Sequence, residues 1–230
     1  EDTEQLDEIL MAARANGIWE GEVRNRRKSG DFFYSNVVIS AITDPGDSDV
    51  NFVEMGLDIS RHMENAQELW RQANHDALTG LPNRLLFEDR LEVACGHSDA
   101  EGHSIALLYI DLDGFKPIND RYGHEVGDQV LRKVGERIKN TVRTGDTVAR
   151  LGGDEFAVIA DDVKNKEEAE WVAQKIAASV QRQMEMGALS ISVGASIGVA
   201  MFPEDSTETV ALLGLADDKM YKQKRIRKSG

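Results

Sequence analysis

The chain has 230 residues, enough for one large domain or two small ones, and its apolar content suffices for a real core. Its 27 Lys and Arg against 41 Asp and Glu leave a formal charge of −14, which argues against a general nucleic-acid surface, since that needs a basic face to displace counterions. The single cysteine, Cys95, excludes an intramolecular disulfide and a cysteine-based zinc site, and the apolar runs are too short to span a bilayer. Residues 3–16 carry Leu6, Ile9, Leu10 and Ala13 at helical spacing, and Gly17 stops them. Strands are predicted at Ile18–Arg24, Phe32–Ile42 and Asn51–Leu57, with a polar turn at Asn25–Asp31 and a loop at Asp44–Asp47. Ile59, Met63, Ala66, Trp70 and Ala73 then alternate at spacings of four and three, a stripe of about two heptads. Such a stripe reads either as an amphipathic helix packed on its own domain or as a short parallel coiled coil that pairs two copies.

A helix is predicted from Arg84 to about Cys95, then a polar loop around Gly96–Gly102. The run Ile105–Ile110 reads as a buried central strand that ends at Asp111. Val126–Val142 is a helix with Val130, Leu131, Val134 and Ile138 on one face. Gly152-Gly153 between the apolar runs Val148–Leu151 and Phe156–Ala160 signals a tight hairpin. A helix over Lys166–Met184 should turn Trp171, Ile176 and Val180 inward, Leu189–Met201 alternates as a strand, and Thr207–Lys224 is the final helix. Helices interspersed with a few mostly antiparallel strands make an α+β domain.

Asp154 and Glu155 follow the Gly-Gly turn directly. If hairpin and central strand are neighbours, these carboxylates converge with Asp111 beside a turn whose glycines lack Cβ, so phosphates can lie against it. That is how a site for a metal-bound nucleotide triphosphate should look. The chain's charge is no obstacle, because a metal ion and a few lysines offset phosphate locally. Asp111-x-Asp113-Gly114 fails as a calcium loop: Phe115, Lys116 and Tyr122 stand where an oxygen ligand, Gly and Glu are required. The five histidines show no paired metal-ligand spacing, and no nucleophile elbow or Walker loop is present. Arg143-Thr144-Gly145-Asp146 precedes the hairpin strand, and the five residues between Asp146 and the Gly-Gly turn put it roughly 15–20 Å away, too far to share the catalytic centre.

Taken in order, His75–Arg84, Asp111–Asp120, Tyr122–Asp128, Gly152-Gly153-Asp154-Glu155-Phe156, Ala195–Ala200 and Ala216–Lys224 resemble the GGDEF family of diguanylate cyclases, which condense two GTP molecules into cyclic di-GMP. The resemblance runs from about His75 to the C-terminus. It implies a central, mostly antiparallel sheet flanked by helices, as in adenylyl cyclases and polymerase palms. It also implies Mg²⁺, with Mn²⁺ as an alternative, held by Asp111, the Leu112 carbonyl, Asp154 and Glu155. Asp113 is a weaker candidate that could instead brace its turn. Gly114, Phe115 and Lys116 would cover the β and γ phosphates, with Gly152 and Gly153 beneath them and Lys224 and Lys228 also on phosphate. Lys228 departs from the family's usual arginine, for which Arg227 could substitute. Asp154, Glu155 and Lys116 would carry catalysis. Asn119 and Asp128 match the guanine readers, although each could locally be a helix cap. Arg143 and Asp146 match an inhibitory site for the product.

Gly17–Gly30, followed by Asp58-Ile59-Ser60, resembles the C-terminal part of a PAS sensory domain. The expected organisation is a partial PAS α/β segment over 1–58, a helical signalling linker over 59–74 and the cyclase domain over 75–230. Two GTP molecules per product imply a homodimer, and the charge of −14 speaks against a nucleic-acid partner. The chain opens at Glu1 and reads as part of a longer, cytoplasmic protein whose other segments could tether it to a membrane; no membrane segment is expected in this stretch. The rival function is a catalytically weak module that binds GTP or cyclic di-GMP and regulates an attached enzyme.

Overall fold

A computed structural model describes residues 2–43, 50–101, 103–187 and 189–229. The chain divides into two compact units, Glu1–Arg71 and Gln72–Gly230. In the first, α1 (Asp2–Asn16) precedes an antiparallel meander of β1 (Ile18–Arg26), β2 (Phe32–Thr43) and β3 (Val50–Asp58). Ile9 and Ala13 of α1, one helical turn apart, bury themselves on Val37 and Ile39 of β2. The predicted Asp44–Asp47 loop lies outside the described residues. Helix α2 (Ser60–Asn74) contains the heptad stripe from Met63 onward and buries none of its residues. Met63 is 41% exposed and Trp70 55%.

The second unit continues with α3 (Arg84–Glu101), β4 (Ile105–Asp113), α4 (Phe115–Tyr122), α5 (His124–Thr141), β5 (Thr147–Gly152) and β6 (Glu155–Ala160). Then come α6 (Lys166–Gln181), β7 (Met184–Met186), β8 (Leu189–Ile191), β9 (Gly194–Phe202) and α7 (Thr209–Ser229). The main sheet has the order β5-β6-β4-β9 with every pairing antiparallel. β4 is central, and Ile105–Leu112 are all buried, as a strand covered on both faces requires. Alternation divides its side chains between two cores. Leu108 and Ile110 pack with Val130, Val134 and Ile138 of α5 and Ile176 of α6, while Leu107 and Tyr109 pack with Phe87 and Leu91 of α3 and Met220 of α7. No helix among the described residues is long and apolar enough to cross a membrane.

Four expectations need correction. α3 runs through the predicted polar loop at Gly96, since the Cys95 thiol and Ser98 are buried and the Ser98 hydroxyl donates to the His103 carbonyl. That anchoring outweighs the roughly 1 kcal/mol that a helical glycine costs. Trp171 points outward, 53% exposed, because Ala169, Ala173, Ile176 and Val180 set the buried face of α6 and Trp171 lies two residues out of phase. The predicted Leu189–Met201 strand is two strands: β8 pairs with β7 as a hairpin, and the main-sheet strand restarts at Gly194. α4 was not foreseen as a helix; it is a short element between Gly114 and Gly123.

Candidate active site

Asp111 stands two residues before the end of β4. Asp111 lies opposite Glu155 on one side and Ser196 on the other, so the Asp111 and Glu155 carboxylates share one face of the sheet. Asp154 is drawn in by the Leu112 amide, which donates to its carbonyl at 3.2 Å. Asp111 is only 8% exposed. Burial pushes its carboxyl above the usual range, with the charges of Asp154 and Asp113 acting in the same direction and the Lys224 ammonium opposing them. Lys224 ion-pairs with Asp111; burial opposes its charge, but Asp111, Asp154 and Asp113 together hold its pKa above the usual value. This corner therefore favours a cation.

A close approach brings Lys224 there. A Cβ on Gly198 of β9 would lie 1.9 Å from the Ala216 carbonyl oxygen and 2.4 Å from the Met220 nitrogen, so α7 rests directly on the strand backbone. Lys224 stands one turn beyond Met220. Asp113 does brace the site: it accepts from Ser196 Oγ at 2.8 Å and from Arg227 at 3.0 Å, while Arg227 also donates to the Ala195 carbonyl at 2.8 Å. Arg227 is thus committed to the scaffold. Lys228 falls on α7, but its side chain lies outside the described residues. The Glu155 carboxylate accepts from the Tyr109 hydroxyl at 3.0 Å and lies 3.7 Å from Arg84. Burial, first of all, pushes the Tyr109 phenol up to about 12, so it remains a donor at ordinary pH.

The Gly-Gly turn has Gly152 at φ 149° and Gly153 at φ 49°, backbone states that favour glycine, and space above both is open. Arg150 pins it. The guanidinium donates to the Gly153 carbonyl at 2.8 and 3.1 Å and to both oxygens of Asp76 at 2.9 and 3.0 Å. Burial opposes ionisation of Asp76, but the Thr79 hydroxyl and amide and Arg150 outweigh it and hold the carboxyl below its usual range. The sign follows: this stability is present above the unfolded pKa and is lost as pH falls through the folded one. Asp76→Asn should cost about 2 kcal/mol at neutral pH by leaving the mostly buried Arg150 without its counter-charge. Denaturant melts of parent and variant at pH 7 and pH 3 check this, and the gap should narrow at the lower pH.

α4 presents an uncapped N-terminus. Gly114 provides no side-chain cap, Pro117 has no amide, and Phe115 and Lys116 stand in the first turn, the exposed lysine beside free backbone donors. Asn119 is wedged at the junction with α5, where a Cβ on Gly127 would fall 1.8 Å from its Oδ1. That oxygen is buried without a hydrogen-bond partner, the one such side-chain atom among the described residues. Asp128, the next residue on α5, is half-buried. Neither is a cap: α5 starts after Gly123 with no side-chain cap, and Asn119 lies inside α4. Arg143 and Asp146 stand at the far end of β5 from the glycine turn. Asp146 accepts from the Arg143 amide at 2.8 Å and the Asp161 amide at 3.3 Å, while the Arg143 guanidinium pairs with Glu168 at 2.9 Å.

The family model described as "Diguanylate cyclase, GGDEF domain" matches residues 73–229. The chain belongs to the GGDEF family. Diguanylate cyclase TpbB of Pseudomonas aeruginosa is 44% identical over 163 residues, covering 70% of this chain and 37% of that protein. A solved structure of the GGDEF domain of TpbB superposes with TM-score 0.64 at 43% identity, covering 66% of this chain and 89% of that one. The coiled coil and GGDEF domain of DgcB from Caulobacter crescentus, in complex with c-di-GMP, gives TM-score 0.66 at 31% identity over 73% of this chain and 88% of that one. The present chain spans less than two fifths of the length of TpbB.

Within the GGDEF domain, no group of three or more His, Cys, Asp or Glu side chains among the described residues gathers closely enough to hold a metal alone. The donor chemistry still fits Mg²⁺, which takes one or two carboxylates and completes its octahedron with phosphate oxygens and water. Asp111 and Asp154 offer hard oxygens at a point that favours positive charge. No local pattern assigns a role to Arg150, in the apolar run before the Gly-Gly turn, or to Asp76, in the His75–Arg84 motif. An Arg just before a Gly-Gly turn was the available signal, but its partner is 74 residues away.

Proposed function

We propose that this chain is a diguanylate cyclase domain that condenses two GTP molecules into cyclic di-GMP. The observation that carries the reading is the convergence of Asp111 and Asp154 with Lys224 at the foot of an open Gly-Gly turn. The uncapped α4 amides of Phe115 and Lys116 and the Lys116 side chain hold the β and γ phosphates. Asn119 and Asp128 read guanine. The buried Asn119 Oδ1 lacks a partner that a guanine amine would supply, and adenine could not satisfy the same pair. Mg²⁺ held by Asp111, the Leu112 carbonyl, Asp154 and Glu155 would lower the pKa of the attacking hydroxyl and offset charge on the pyrophosphate. The 3′-oxygen of one GTP bonds to the α-phosphorus of the other, the bond to the β-phosphate oxygen breaks, and the hydroxyl proton leaves to a base or water. A second such step closes the ring, with two pyrophosphates released.

Two GTP molecules in two domains imply a C2 homodimer whose turns face one another. Exposed Met63 and Ala66 on α2 support a pairing helix there. We assign residues 1–58 to the C-terminal part of a PAS sensory domain and 59–74 to its signalling linker, supported by α1 on the β1–β3 meander. The buried Cys95 thiol and a GTP substrate suit the cytoplasm. Incubation with GTP and Mg²⁺, with products identified by mass spectrometry, tests the reading. Cyclic di-GMP and pyrophosphate in a one-to-two ratio support it; bound but unchanged GTP would instead identify a regulatory binding module.

Arg143 and Asp146 are assigned to product inhibition. Arg143→Ala should abolish inhibition by added cyclic di-GMP, so that product accumulates further in a progress curve. Equal inhibition of variant and parent would remove the pair from this role.

A further inference from the structure

The outward Trp171 has no place in the core or in the catalytic corner. Glu168, Trp171 and Lys175 follow at spacings of three and four, a single stripe of α6 away from its buried face. The stripe borders a recess of about 80 Å³ that Arg143, Asp146 and Asp161 complete from the other side. Glu168 holds the Arg143 guanidinium at 2.9 Å, and Arg143 and Trp171 line the same recess. The Lys175 ammonium stands over the ring, 3.5 Å from its centroid, so this face of the indole already holds a cation. Asp146 spends one lone pair of each oxygen on a backbone amide and keeps acceptor capacity on both.

We propose that Trp171 is the stacking platform of the Arg143 site, on which a purine base of the bound product lies flat. This rests on the assignment of Arg143 and Asp146 to cyclic di-GMP. The recess is too shallow to enclose a purine, so the base lies across it: its face on the indole, its donor edge on Asp146, and a phosphate or ring acceptor on the Arg143 fork. In this arrangement the base takes the position over the ring that Lys175 occupies here. Arg and Asp read the edge of a guanine; the indole adds affinity through the π face.

Binding of cyclic di-GMP to the full 230-residue protein, measured by calorimetry together with tryptophan emission, tests this in three variants. Trp171→Ala should weaken binding about tenfold, the loss of one base–aromatic stack. Trp171→Phe should restore most of the affinity, because a smaller ring still offers a platform, but should lose the ligand-induced quenching expected of the parent. Arg143→Ala should weaken binding whatever stands at 171. If Arg143→Ala weakens binding but Trp171→Ala matches the parent, the platform is overturned and the Arg143 assignment stands. If Arg143→Ala itself binds like the parent, the underlying assignment fails and the platform with it. Equal losses in the Ala and Phe variants would overturn stacking.

Discussion

Asp154→Asn is expected to lower cyclic di-GMP synthesis by at least about a hundredfold, the scale on which removing a charged group that stabilises a developing transition state is felt. The change is confined to charge. Asn keeps the size of the side chain, and the Asp154 carbonyl that receives the Leu112 amide belongs to the backbone and is untouched. Asp154 acts electrostatically on both members of the buried Asp111–Lys224 pair, raising the pKa of each. Its removal relaxes a repulsion on Asp111 and gives up an attraction on Lys224; the two offset, and the variant should melt near the parent temperature. Pyrophosphate release and calorimetric melting, measured on the same preparation, separate the two effects. Near-parent turnover by a folded variant would sink the metal-ligand assignment.

Specific activity should rise with protein concentration until dimers saturate, because each domain offers one glycine turn and one guanine pocket while the product is two-fold symmetric. Introducing Glu at Met63 and Ala66 should suppress activity at low protein concentration by roughly tenfold or more, since like charges would meet across the α2 seam. Both positions are exposed in the single chain, so the double variant should fold normally by itself. Sedimentation alongside turnover checks this. Activity that stays flat across a measured monomer–dimer transition would rule out the two-domain mechanism, whereas unchanged dimerisation in the Glu variant would refute only the α2 seam.

Short-range patterns in the amino-acid order determined a good deal of this protein. The unbroken apolar run Ile105–Ile110 specifies a strand buried on both faces, and β4 is that strand. Gly152-Gly153 between apolar runs specifies a hairpin, because the positive φ values there suit glycine. Asp111, Asp154 and Glu155 were legible as a converging set only on the condition that strand and hairpin are neighbours, and β4 and β6 do pair. Periodicity specifies less on α6, where all four core positions are small or β-branched. The one large aromatic, Trp171, drew the predicted face the wrong way.

Only the tertiary structure decided which side chains meet. Lys224 reaches Asp111 across 113 residues because Gly198 lets α7 lie against β9, and no local rule indicates where a helix will rest. Asp113 and Arg227 pair with each other and with β9, an arrangement that no local pattern indicates. Arg150 finds Asp76 through the packing of the chain before α3 onto the hairpin, and Asn119 is left with an unpaired oxygen because Gly127 brings α5 up to it. Backbone propensity and hydrophobic period act over a few residues and set the elements. Ion pairs, close approaches and orphaned polar atoms depend on where those elements come to rest, which is settled by burial of the whole core at once.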